Sequence, residues 1–146
     1  MSDTRRASSE KRVQYAALPY RRCCASQLQV LLITSRSTKR WIIPKGWPKN
    51  GWEPHRSAAH EAFEEAGVAG RISEKAIGTY NYEKQLAEGL IVLCEVHVFP
   101  LEVTNEHDTW PEQAQRNVIW LAPTEAAKMV DEPQLSALLR GFVTAP

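Results

Sequence analysis

The sequence predicts an α/β sandwich, a mixed β-sheet packed between helices, on three observations. Strand-like runs stand on both sides of one well-bounded helix, Pro54 to Ala66; one or two further helices close the chain; and no internal repeat or second domain interrupts the pattern. Residues 13–146 are therefore expected to form a single domain, and 1–12 (MSDTRRASSEKR), almost without apolar content, a mobile tail.

The elements follow in order. QYAALPY reads as a first strand after Val13, and Leu28 to Thr34 (LQVLLIT) as a second whose continuous aliphatic run suits burial on both faces. Ser35 to Lys39 is a loop. Trp41 to Ile43 form a short strand that Pro44 must end, because proline has no amide hydrogen for a sheet ladder. Gly46, Pro48, Asn50 and Gly51 then mark a long turn. The helix has proline in its first turn and Gly67 where a helix commonly stops, and Val68 restarts extended structure. Ile77 to Glu83 and Leu90 to Val103 read as strands, Glu106 to Gln115 as a polar loop, and Val118 to Leu121 as a last short strand. Thr124 to Val130 and Gln134 to Phe142 supply the closing helices.

Composition bounds the function. Of 146 residues, 43% are hydrophobic and 24% charged, as in ordinary soluble domains, and the formal net charge is +1. That balance gives no support for an extended nucleic-acid surface or an acidic membrane as partner, so an anionic ligand must be gripped locally. No apolar run approaches the roughly 20 residues a membrane span needs, and the first twelve residues hold no hydrophobic segment of a signal peptide. Cys23, Cys24 and Cys94 are odd in number, two of them adjacent, which fits reduced thiols and a cytoplasmic location. Nothing in the sequence sets an oligomeric state.

Chemistry concentrates in HEAFEEAG. A helix places Glu61, Glu64 and Glu65 at i, i+3 and i+4, on one side within about one turn. Three like charges repel unless a cation sits among them, and hard cations such as Mg²⁺ prefer carboxylate oxygens. Ala58, Ala59, Ala62, Phe63 and Ala66 occupy the other side and let the helix lie close to a sheet. An isolated ExxEE triplet is more often a solvated acidic face. Here it follows a strand ending in Pro44-Lys45-Gly46 and a Gly/Pro-rich turn, and is closed by Gly67-Val68.

In that context the chain resembles the Nudix hydrolases. Their signature runs Gly, five residues, Glu, seven residues, Arg-Glu-aliphatic-x-Glu-Glu-x-Gly-aliphatic; Gly46, Glu61, Glu64, Glu65, Gly67 and Val68 match it. Trp52 stands for the first Glu and His60 for the Arg, so the ion pair those two usually form is lost together, and the adjacent Glu53 is expected within reach of His60. TSRSTKRWIIPKG and NVIWLAPTEAAKMV, outside the box, are similar to the diphosphoinositol polyphosphate and diadenosine polyphosphate phosphohydrolase branch.

The resemblance implies a Nudix-type α/β/α sandwich. It also implies metal-dependent cleavage of a phosphoanhydride in a phosphorylated small molecule: a nucleoside diphosphate derivative, a dinucleoside polyphosphate or a diphosphoinositol polyphosphate. Mg²⁺ or Mn²⁺ would be held by Glu61 and Glu65 with a carbonyl near Gly46, and Glu64 would be a further ligand or the base that activates water. The alternative is a degenerate module, motivated by Trp52 and His60, that binds a phosphorylated ligand without turnover.

Phosphate requires cations as well. Arg36, Lys39, Arg40 and Lys45 cluster around the strand entering the box and are the substrate-binding candidates, with Lys11, Arg12 and Gln14 weaker ones. Trp41 and Trp120 are expected in the core, whereas Trp47, Trp52 and Trp110 are either substrate walls or packing. One of Glu106, Asp108 and Glu112 is expected to add a carboxylate, and spacing does not choose among them.

Overall fold

The computed structural model describes residues 11–143, and side chains 24 and 88 are not described. Strand β1 (Lys11–Arg22) starts two residues before the expected onset of order; the rest of the expected tail lies outside the described residues. β2 (Leu28–Thr34), β3 (Trp41–Ile42) and a two-residue β4 (Lys45–Gly46) lead to helix α1 (Pro54–Ala66). Then come β5 (Val68–Ile72), β6 (Gly78–Gln85), β7 (Ile91–Glu106), β8 (Val118–Leu121), α2 (Pro123–Met129) and α3 (Pro133–Arg140).

The expected sandwich is what forms. Eight strands make one mixed sheet ordered β3-β2-β1-β7-β5, with β4 paired to β1, β6 to β7 and β8 to β2. β1 and β7 run parallel over ten residue pairs and the other pairings are antiparallel. Pro19 is tolerated within β1 because that strand changes partner there. Tyr15 and Ala16 pair with β4, whereas Tyr20 to Arg22 pair with β2.

Alternation along the central strands divides the core. Ala16, Leu18, Val30, Leu32, Val96 and Val98 face α2 and α3, where Ala126, Ala127, Leu135 and Leu139 bury their side chains. Ala17, Leu31, Ile33, Phe99 and Leu101 face α1, which meets them with Ala58, Ala62 and Ala66. Those small residues press α1 against the sheet and leave its glutamates at the sheet's end. Among the described residues no helix is long and apolar enough to cross a membrane.

The largest departure from expectation is β4. A two-residue strand carries no periodicity, and it forms because Gly46 and Lys45 find Tyr15 and Ala16 across the gap. Its consequence is to fix the turn beside α1.

Candidate active site

α1 has Pro54 in its first turn and ends at Gly67, which adopts the left-handed conformation (φ 72°) and donates its N–H to the carbonyls of Ala62 and Phe63. Any side chain at Gly67 would strike the ring of Trp110, so Trp110 is packing at the helix end and lines neither of the two large cavities.

Glu61 and Glu65 are buried, at 7% and 5% exposure, and both line a cavity of about 510 Å³ with Gln14, Arg36, Lys45, Gly46, Trp47, Lys49, Lys84, Glu112 and Arg116. Gly46 lets the turn lie close against the Glu61 carboxylate, which a Cβ at that position would push aside. Lys49 Nζ lies 2.5 Å from Glu61 Oε2, and the Lys45 amide donates to Glu65 Oε1 at 3.3 Å. Arg116, almost buried, sits 2.8 Å from Glu112 and 3.8 Å from Glu65 and donates to the Thr34 carbonyl.

Burial, and then the hydrogen bond and charge of Glu61, hold the Glu65 carboxyl well above the usual carboxylate range; Arg116 and Lys45 oppose this. Burial also lowers Lys45 to about 8, with Glu65 opposing and Lys84 adding to the fall. Two buried carboxylates lining one cavity are a donor set suited to a hard divalent cation, and Lys49 supplies the positive charge on Glu61. Among the described residues no three His, Cys, Asp or Glu side chains are grouped to hold a metal as they stand.

The structure separates the predicted residues. Glu64 does not line the cavity: its Oε2 lies 3.2 Å from His60 Nε2, so the three glutamates do not form the single stripe expected from spacing. Glu53 reaches His55 rather than His60, and His60 packs edge-on against Trp52 with ring centroids 5.2 Å apart. The position of the family's usual ion pair is thus filled by a ring contact.

Of the basic candidates, Lys45 and Arg36 line the cavity, and Arg36 donates to Gln115. Arg40 pairs with Asp131 at the rim of an adjoining cavity, and Lys39, exposed and in the left-handed conformation (φ 61°), is the residue of the 35–40 loop that lines neither cavity. Gln14 reaches the cavity while accepting from the Tyr82 hydroxyl at 2.7 Å. Glu112 is the acidic-loop residue that enters the site, since Glu106 pairs with Arg21. Trp47 lines the wall, while Trp52 is exposed outside it; Trp41 and Trp120 are only partly buried against the core. Lys49 and Arg116 were missed. Lys49 was inside the box and Arg116 followed the acidic loop, but neither position is fixed by periodicity.

No family model matches the chain. It is 32% identical over 133 residues to Nudix hydrolase 18, mitochondrial, of Arabidopsis thaliana, covering 84% of this chain and 71% of that protein. It is 30% identical over 105 residues to the diphosphoinositol polyphosphate phosphohydrolase 3-alpha of Mus musculus, covering 70% and 60%. The chain spans between 54% and 77% of the length of the plant relatives it matches. Among solved structures, a C. elegans Ap4A hydrolase binary complex superposes with a TM-score of 0.66 at 24% identity, over 88% of this chain and 92% of that one, a likeness of fold.

Proposed function

The chain belongs to the Nudix hydrolase family, and from that membership we propose that it uses Mg²⁺ or Mn²⁺ to cleave a pyrophosphate link in a phosphorylated small molecule. The substrate classes are those expected from the sequence: nucleoside diphosphate derivatives, dinucleoside polyphosphates and diphosphoinositol polyphosphates. One observation carries the reading: Glu61 and Glu65 lie buried side by side in a cavity also lined by Arg36, Lys45, Lys49 and Arg116. Carboxylates for a cation and cations for phosphate oxygens are what phosphoanhydride hydrolysis needs.

In this reading Glu61 and Glu65 are the principal ligands, with a carbonyl near Gly46. A divalent cation, when bound, neutralises phosphate oxygens and acidifies water. Arg36 and Lys45 hold the phosphate oxygens, and Arg116 keeps Glu65 and Glu112 in place. Glu64 serves as a further ligand or as the acceptor of the water proton; either role requires its carboxylate to turn from His60. Lys39 and Arg40 are proposed only for the outer part of a long substrate. A cytoplasmic site of action is proposed on the cysteines, Cys94 being a buried thiol.

The second reading, binding without turnover, is favoured by Lys49, whose ammonium pairs with the Glu61 carboxylate that the first reading assigns to the cation. Incubation with a panel of phosphate-linked compounds in Mg²⁺ or Mn²⁺ separates the two. Release of phosphate or nucleoside phosphates supports hydrolysis; saturable binding without release supports the module.

A further inference from the structure

Tyr82 lies half-buried on β6, its ring packed against the core beside Tyr80 with centroids 6.4 Å apart. A phenylalanine would pack there as well, so the hydroxyl needs a separate reason. It donates to Gln14 Oε1 at 2.7 Å, linking β6 to β1 across the intervening β7. The ring has a second neighbour in Lys45, reaching over from β4, whose Nζ lies 4.7 Å from the ring centre. Gln14 and Lys45 line the carboxylate cavity, whereas Tyr82 lines only the adjoining one. One residue outside the carboxylate cavity thus touches two that line it.

The hydroxyl decides which end of the Gln14 amide is left over. Gln14 is 3% exposed, and among the described residues its Nε2 has no hydrogen-bond partner. With Oε1 turned to Tyr82, two N–H donors remain for the cavity, which Lys45, Lys84 and Arg116 also line. Reversing the amide would put an oxygen where those cations call for an anion. It would also leave the hydroxyl hydrogen to Cys94, the cross-strand partner of Tyr82, whose sulfur is a weak acceptor. A buried donor without an acceptor is costly, and a bound anion removes that cost.

Resting on the hydrolase reading, we infer that Tyr82 is a positioning residue for anion binding. Its hydroxyl holds the Gln14 amide with the N–H groups toward a phosphate oxygen, and its ring face steadies the Lys45 ammonium beside the same anion. Tyr82 itself touches no substrate. A neutral, directional donor and a mobile point charge are thereby set by a single side chain of a third strand.

Calorimetric titration with imidodiphosphate, whose bridging nitrogen resists hydrolysis, reads anion binding without turnover, so its failure is distinct from failure of the hydrolase reading. In Mn²⁺, the full chain is compared with Tyr82→Phe, Gln14→Leu and the double variant. Loss of a hydrogen bond to a charged acceptor predicts that Gln14→Leu weakens binding about tenfold and Tyr82→Phe about fivefold. The double variant binds within about twofold of Gln14→Leu, because without the amide the hydroxyl has nothing to hold. Mn²⁺ affinity in the absence of the anion stays within about twofold in every variant. On a substrate the parent cleaves, Tyr82→Phe raises KM and keeps kcat within about twofold. Thermal melts check that each variant is folded; should Leu not fold, the isosteric Gln14→Glu takes its place in the cycle. A hydroxyl with only a structural role would lower the melting temperature and leave anion affinity unchanged. That result overturns the inference, as do losses that add in the double variant or an absence of imidodiphosphate binding by the parent.

Discussion

Lys49 Nζ lies 2.5 Å from Glu61 Oε2, holding the carboxylate that a divalent cation would need. Glu61 is nearly buried, so it is poorly screened and relies on this partner when no metal is bound. Lysine and metal ion therefore compete for one group. Replacing Lys49 by Gln should tighten Mn²⁺ binding several-fold while lowering metal-free stability by about 1–3 kcal/mol, because an unpaired acceptor stays buried. Mn²⁺ titration and denaturant unfolding with and without metal measure the two effects. If both fall together, Lys49 supports the metal site rather than competing with it.

Lys45 makes binding depend on pH. Burial lowers it from 10.5 to about 8, so its ammonium is lost as pH rises through 8. The kcat/KM for an anionic substrate, which reports the free enzyme, should fall above about pH 8, and Lys45→Gln should lack that break at a lower plateau. Stability has the opposite sign. Between about 8 and 10.5 the unfolded chain binds more protons at this site, so its contribution to stability rises with pH. Parallel pH profiles of kcat/KM and of unfolding free energy check both signs.

Trp52 and His60 replace an ion pair by a ring contact at 5.2 Å, and His60 also meets Glu64. His60→Arg should keep kcat within about tenfold, or roughly 1.4 kcal/mol in the barrier. Trp52→Glu alone should cost stability, and the double variant Trp52→Glu/His60→Arg should regain part of it. A favourable coupling of about 0.5–1 kcal/mol is expected. A thermodynamic double-mutant cycle measures it. No coupling would mean that the two positions are independent.

How far the sequence carried differs by element and has physical causes. α1 was readable to the residue, because Pro54 and Gly67 punctuate it and its alanines define one face. β2 and β8 were readable because short segments dominated by β-branched and other apolar residues have few other fates. β4 was not, since its two residues are held by Tyr15 and Ala16 across the sheet and by the Glu65 carboxylate, all distant in sequence. Within the site, Glu61 and Glu65 followed from helical spacing, but spacing could not say that Glu64 rotates toward His60. Nor could it choose Glu112 from the acidic loop, where Arg116 decides by pairing with it at 2.8 Å. Side-chain partners that come from distant segments leave no periodic trace.

The glutamates themselves give the sharpest test. Helical spacing treats Glu64 and Glu65 alike, but only Glu65 lines the cavity, at 5% exposure, with its proton held by burial and by Glu61. Glutamine keeps the size of either side chain and removes the charge a hard cation needs. Glu65→Gln should therefore lower kcat at least a hundredfold, about 2.7 kcal/mol. Glu64→Gln should cost less, the difference reporting how far Glu64 leaves His60 during turnover. Stability should move the other way at position 65. A carboxyl whose folded pKa is raised loses stability as pH climbs above the usual carboxylate range, so the amide should raise the metal-free melting temperature at neutral pH. Adding Mg²⁺ should stabilise wild type more than the variant. Steady-state rates and melts of both variants, with and without Mg²⁺, decide the matter. A Glu65→Gln protein with wild-type turnover on a substrate the parent cleaves would remove the carboxylate pair from the chemistry.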